Sequence, residues 1–212
     1  MVRRLPVYLL LDTSGSMKGE PIESVKVGLE AMISSLRRDP FALESVYLSI
    51  ITFDREVKDV LTLTELENLT LPEIVTPDSG PTHLGMALEL LYERCSKELI
   101  RGSASQKGDW KPLLFIMTDG KPSDMAKYEE YIPKIQSIGF GSIVACAAGP
   151  KSNSESLKML TDHVVHLDTT DSSSFLQFFK WVSASVSIGN QSQGSGDNNQ
   201  LPPPPPNVNP VI

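Results

Sequence analysis

Three separate stretches of this 212-residue chain carry oxygen donors in a pattern suited to holding one divalent cation. Asp12, Ser14 and Ser16 stand two apart in Asp-Thr-Ser-Gly-Ser, a spacing that lets three side chains converge from one turning loop. Gly15 between the serines permits a tight backbone there. Thr82 follows a Ser-Gly-Pro bend, and Asp119 ends an apolar run. The five residues supply two carboxylates and three hydroxyls, all hard donors, which suit Mg²⁺ or Mn²⁺. The set contains neither Cys nor His, which disfavours zinc. Two carboxylates brought close together repel unless a proton or cation intervenes, and a divalent ion would cancel both charges. Taken singly, each residue has a plainer explanation, because Ser, Thr and Asp are common turn formers and helix caps. The combination favours a metal site.

The elements that must position these residues can be read from periodicity. Residues 7–11 are continuously apolar, as in a strand buried on both faces of a parallel sheet. A polar loop over 12–20 leads to Pro21, well placed at a helix start. Ile22, Val25, Leu29, Met32, Ile33 and Leu36 then recur at helical spacing, and Asp39-Pro40 stops the helix. Residues 46–53 and 57–63 read as strands joined by a turn at Asp54-Arg55, too short for anything but an antiparallel pair. After an irregular stretch over 64–81, Leu84, Leu88, Leu91 and Cys95 form the inner stripe of a second helix. Residues 113–117 make another apolar strand, 126–138 a helix closed by Gly139, and 142–147 a strand. A short helix over 154–160, a short strand over 164–167 and a final helix marked by Phe175, Phe178, Phe179, Val182 and Val186 follow. Alternating strands and helices predict a doubly wound, mostly parallel sheet with helices on both faces. In such sheets a ligand site lies beyond the carboxyl ends of the strands, where the strand order reverses. Asp12 and Asp119 both stand at such ends.

The remainder narrows the class. A net charge of −7 argues against a general nucleic-acid binder, which needs a basic face. No apolar stretch reaches the length of a membrane span, and the basic start followed by residues 5–11 is read as a buried first strand rather than a leader. A cytoplasmic protein is expected. Cys95 and Cys146 fall on apolar patterns and read as reduced core thiols. Residues 1–188 are expected to form one domain. Residues 189–212 pass through Gly, Ser, Asn and Gln into five prolines at 202–206, and are expected to be a disordered tail with polyproline II character. Such a segment is ordinarily a plain linker or end, and less often a docking peptide for a proline-reading module. His83 reads as an exposed helix-start residue, His163 and His166 as structural, Trp110 and Trp181 as packing residues, and Lys121 and Asp78 as loop residues near the site.

At this point the motifs resemble a known family. Asp-Thr-Ser-Gly-Ser-Met after an apolar strand is similar to the Asp-x-Ser-x-Ser motif of the von Willebrand factor A domain. Thr82 in Ser-Gly-Pro-Thr-His-Leu-Gly resembles that family's separate threonine, and Asp119 in Ile-Met-Thr-Asp-Gly its second aspartate. The resemblance spans residues 4–188. It implies a six-stranded sheet of order 3-2-1-4-5-6 with one antiparallel edge strand, and a metal ion-dependent adhesion site. It also implies that Ser14, Ser16 and Thr82 bind the ion directly, that Asp12 and Asp119 act directly or through water, and that a partner's Glu or Asp completes the shell. The missing leader and Thr-Asp-Gly-Lys-Pro look most like the bacterial tellurium-resistance, TerY-like subgroup, which is associated with stress-response clusters and with phosphatase-like and kinase-like proteins.

Two functions are therefore weighed. One is a binding module without catalytic residues, consistent with the lack of a phosphate loop or a nucleophile elbow. The other is a Mg²⁺-dependent phosphoryl-transfer enzyme using Asp12 as nucleophile. The second lacks the further acidic residue expected two positions on, where Ser14 stands.

Overall fold

The computed structural model describes residues 3–192 and 201–211, apart from 79, 104, 106, 150, 151 and 153. Strands β1 (Leu5–Asp12), β2 (Val46–Phe53), β3 (Val57–Glu65), β4 (Leu113–Thr118), β5 (Ser142–Ala148), β6 (His163–Leu167) and β7 (Asn209–Pro210) form one sheet of order 3-2-1-4-5-6-7. β1 pairs in parallel with β2 and β4, and β5 with β4 and β6. β3 runs antiparallel to β2 across the Asp54 turn, as its short connection requires.

Period-2 alternation divides the strands between two cores. Leu5, Val7, Leu9 and Leu11 of β1 face helices α1 (Glu20–Leu36) and α6 (Ser172–Ser192), whereas Tyr8 and Leu10 face α3 (Leu84–Glu98) and α4 (Met125–Ser137). β4 divides the same way, with Phe115 on the first face and Ile116 on the second. The stripes read from helical spacing are the buried ones: Ile22 through Leu36 in α1, and Leu84, Leu88, Leu91 and Cys95 in α3. Short helices α2 (Pro40–Ser45) and α5 (Glu155–Lys158) complete the layers. Cys95 and Cys146 are free, buried, and on opposite faces of the sheet. Burial pushes both thiols up, Cys95 to about 12.

The structure departs from the sequence reading in two places. Asp39-Pro40 ends one helix and also begins another: the Asp39 carboxylate accepts from the Phe41 and Ala42 amides at 3.0 and 3.4 Å, with Pro40 in the first helical turn. The segment read as a tail is the second case. α6 runs past residue 188 to Ser192, and residues 201–211 lie against the domain, with Val208 1% exposed. They add β7, a seventh and antiparallel strand, at the β6 edge. The mixed apolar residues Leu201, Val208 and Val211 among the prolines supply that attachment. Residues 193–200 lie outside the described part. Among the described residues no helix is both long and apolar enough to cross a membrane.

α3 and α4 meet at Gly85, where a Cβ would collide with the Tyr128 backbone nitrogen and lie 2.8 Å from Asp124 Oδ2. A backbone atom cannot swing aside. Gly85→Ala should therefore destabilise the fold by about 2 kcal/mol, despite the better helix propensity of alanine. In thermal melts the midpoint should fall by roughly 4–8 °C; an unchanged midpoint would mean that the two helices are not packed at this contact.

Candidate functional site

β1 ends at the point where the strand order reverses, between β2 and β4. Its terminal Asp12 stands opposite Phe53 of β2, and Leu11 stands opposite Met117 of β4. The loop that follows is held by its own backbone. The Thr13 amide donates to Phe53 O at 2.9 Å, Ser14 N to Asp12 Oδ1 at 2.8 Å, and Met17 N to Ser14 O at 2.9 Å. Residues Gly15–Met17 make a single 3-10 turn, anchored by the buried Met17. This turn brings the Ser14 and Ser16 hydroxyls to 3.2 Å from each other.

β4 delivers the second carboxylate. Thr118 donates to Asp12 Oδ2 at 2.6 Å, and Ser16 donates to Asp119 Oδ1 at 2.9 Å. Asp12, Ser14, Ser16, Asp119 and Thr118 thus form one hydrogen-bonded cluster drawn from two loops about a hundred positions apart in sequence. The backbone dips away beside it: a Cβ placed on Gly120 would meet Thr82 Oγ1 at 3.2 Å. That close approach sets Thr82 against the Asp119-Gly120 turn, so all five predicted residues lie at one rim of the sheet.

Thr82 is held by a second tier of bonds. Its amide donates to Ser123 Oγ at 3.1 Å, and Ser123 N donates to Thr82 O at 2.8 Å. The next residue, His83, donates its amide to Asp54 O at 3.1 Å. Asp54 also accepts from Thr13 Oγ1 at 2.8 Å, tying the first loop to the β2–β3 turn. α3 begins at His83, whose side chain does not cap it. Asp124 caps it from outside, accepting from the Gly85 and Met86 amides at 3.0 and 2.8 Å. A carboxylate there also complements the positive end of the helix dipole.

The electrostatics follow from burial. Asp12, Ser14 and Thr82 are buried, Asp119 is half-buried and Ser16 is exposed, so the cluster opens to solvent on one side. Loss of water pushes the Asp12 carboxyl up to about 6 against the pull of its Ser14 and Thr118 hydrogen bonds, and the Asp119 charge adds to the rise. Asp119 is raised by burial too, opposed by Ser16. Neither carboxylate makes an ion pair with Lys, Arg or His among the described residues. Paired acids short of positive charge, edged with hydroxyls and open on one side, fit a hard divalent cation. Among the described residues no three Asp, Glu, His or Cys side chains converge as a metal cluster; this donor set relies on hydroxyls instead.

The other residues singled out from sequence stand apart from the cluster. His83 is half-buried, with Nδ1 3.1 Å from Arg55 O. His163 is exposed and His166 half-buried, its Nδ1 3.4 Å from an Asp168 carboxylate oxygen. Lys121 is exposed. Asp78 pairs with Lys18 and is held below the ordinary aspartate range by it. Trp110 packs beside the first core under the Arg3 guanidinium. Sequence reasoning missed Thr118, Ser123, Asp124 and Asp54. Thr118 and Asp124 carried a signal, since each stands within five residues of Asp119; the reach of Asp124 to a helix forty residues away carried none.

The family model for the von Willebrand factor type A domain matches residues 7–180. An uncharacterized protein of Synechocystis is 32% identical over 124 residues, covering 56% of this chain and 26% of that protein. The chain thus spans about a quarter of that relative's length. Proximal thread matrix protein 1 of the mussel byssus superposes with a TM-score of 0.63 at 16% identity, covering 87% of this chain and 48% of that one. A further structure of that protein, described as having a zinc-occupied MIDAS motif, superposes at 0.54 and 16% identity, covering 89% and 45%. The ArnB paralog VWA2 of Sulfolobus acidocaldarius does so at 0.58 and 19%, covering 87% and 45%. At such identities the structural likeness concerns the fold.

The Asp124 bonds to α3 predict a measurable cost. Asp124→Ala should lower stability in urea by about 1–2 kcal/mol, whereas Asp124→Asn, which keeps an acceptor oxygen, should lose less. Equal losses in the two variants would count against capping.

Proposed function

The chain belongs to the von Willebrand factor type A domain family, and from that premise we propose that it is a protein-binding module acting through one divalent cation, Mg²⁺ or Mn²⁺. The Ser14, Ser16 and Thr82 hydroxyls are assigned as direct donors, with Asp12 and Asp119 orienting them and neutralising the ion. The observation that carries this reading is the Ser16–Asp119 bond of 2.9 Å, which closes the first loop onto the second and gathers both carboxylates beside the hydroxyls. When bound, the ion supplies a Lewis-acidic position for a partner's Glu or Asp carboxylate. This chain's residues do the rest. Hydroxyl donors leave more positive charge on the ion than carboxylate donors would, so an anionic ligand is favoured at the open side near Ser16. The absence of nitrogen and sulfur donors supports Mg²⁺ or Mn²⁺ rather than the zinc in the mussel protein. Asp12 accepts from Ser14 N and Thr118 Oγ1, so both its oxygens are engaged in holding the loops. That supports an orienting role over a nucleophilic one. Thr118-Asp119-Gly120-Lys121-Pro122 supports a place in the tellurium-resistance subgroup, in a bacterial stress-response complex with phosphatase-like or kinase-like proteins.

Mg²⁺ or Mn²⁺ should raise the melting temperature, since only the folded chain gathers the donors. At a concentration near a hundred times Kd the gain is about 2.7 kcal/mol, or roughly 5–10 °C. Asp12→Ala should abolish the shift and Thr82→Ala should weaken it. A pull-down from the native cell should recover an acidic partner that EDTA and Thr82→Ala both release. An identical melt with and without millimolar metal would sink the proposal.

A further inference from the structure

The segment 201–211 makes contacts that a plain linker or end would not need. The indole Nε1 of Trp181 on α6 donates to Pro202 O at 2.8 Å, and Leu201 packs beside the same core. A turn closed by Val208 N to Pro205 O at 2.9 Å reverses the chain and buries Val208 to 1% exposure. The chain then runs antiparallel along β6, with Asn209 opposite His166, Pro210 opposite Val165, and Val211 N donating to Val164 O at 2.8 Å. Asn209 Nδ2 donates to Asp168 Oδ2 at 3.2 Å.

These contacts combine two general ways of binding an extended peptide. An extended proline-rich segment makes no internal hydrogen bonds, so its carbonyls remain free to accept, and aromatic-lined grooves are common readers of such segments. An open sheet edge pairs with any added strand through main-chain groups. Trp181 supplies the first and the β6 edge the second. The attachment is narrow as well: β7 has two residues, and one buried valine lies between the indole bond and the strand. A segment held so sparingly opens locally far more often than the domain unfolds.

We propose that the β6 edge and the Trp181 flank of α6 form a groove for an extended proline-rich segment, which residues 201–211 fill in cis and which the same segment of a second copy of this chain fills in trans. Opening exposes groove and ligand on the same molecule. Two opened copies therefore complete each other reciprocally, as a closed two-fold exchange requires. The cis segment competes at an effective concentration of about millimolar, set by its tether. The intact chain accordingly remains a monomer at micromolar concentration, and weakening the cis segment uncovers the groove. The groove is separate from Asp12 and Asp119, so occupation is independent of divalent metal.

The test uses the full chain and a fluorescent synthetic peptide of residues 201–211. Val208→Asp, which places a charge at the buried position, should bind the peptide at least ten-fold more tightly than the unmodified chain does, with or without EDTA. The same substitution in the peptide should abolish binding. Val208→Thr, isosteric and milder, should give an intermediate gain and stands in if Val208→Asp fails to show a cooperative melt. Trp181→Phe keeps the segment but removes the indole donor from its own groove. Mixed with Val208→Asp, it should form a one-to-one complex in sedimentation velocity, where each variant alone sediments as a monomer. The proposal is overturned if the folded Val208 variants bind the peptide no better than the unmodified chain, or if the mixture stays monomeric.

Discussion

The arrangement turns on a buried carboxylate. Asp12 is 1% exposed at the end of a central strand, with Asp119 close enough to disfavour its charge. A group in that position costs stability unless its oxygens are occupied and its charge is answered. The first need is met by Ser14 N from the following loop and by Thr118 Oγ1 from the end of β4. The second is met by no basic side chain among the described residues, and is the need that the proposed cation would answer. The parallel sheet makes this possible, because it brings the carboxyl ends of β1 and β4 side by side at the reversal of strand order.

The loops around Asp12 are braced by residues with no role toward an ion. Asp54 receives the Thr13 hydroxyl and its backbone carbonyl receives His83 N, so the β2–β3 turn fixes both the first loop and the start of α3. Asp124 caps α3 from the β4–α4 loop, while Ser123 pairs with Thr82. Gly85 and Gly120 are the close approaches these bonds demand, one between helices and one between loops. Asp12, Ser16, Thr82 and Asp119 are each held through a neighbour on another element, whereas Ser14 is held within its own loop. A shift of α3 against α4 would move Thr82 relative to Asp119, whereas the short-range bond from Ser14 N to Asp12 would persist.

Much of this was legible in sequence. The apolar runs of β1 and β4, the helical stripe of α1 and the single-turn connection between β2 and β3 each admit one reading, and the structure has the predicted strand order from β3 to β6. The five candidate residues stand at strand and helix ends, positions that periodicity locates well. The bracing was not legible. An Asp that caps a helix forty residues away looks like any loop Asp, and a Thr that donates to a buried carboxylate looks like any strand Thr. The attachment of residues 201–211 escaped the sequence reading for a different reason. Composition averages a segment, and three apolar residues among eleven fall below any threshold for a core, yet Val208 alone is enough to seat the chain where an open edge already offers main-chain partners.

The two edges of the sheet illustrate that last point. A strand edge presents unpaired N–H and C=O groups, and these must be covered or made uninviting. At the β3 edge the pairing with β2 is irregular, and its register shifts twice between Leu48 and Ile51. Lys58 and Asp59 place charges there, the second paired with Arg94 of α3. Such an edge resists a further strand. β6 offers no comparable defence: it reads His-Val-Val-His-Leu, with Val164, Val165 and Leu167 buried. Left open, its main-chain N–H and C=O groups would be available for pairing. A proline-bearing segment is a suitable cover because Pro210 cannot donate outward to yet another strand, so β7 closes the sheet rather than extending it. The same chemistry that makes the cover safe, few main-chain donors and a small buried footprint, also makes it exchangeable. Protection of this edge and recognition at it are therefore alternative outcomes of one set of contacts, decided by which copy of the segment is present at the higher local concentration.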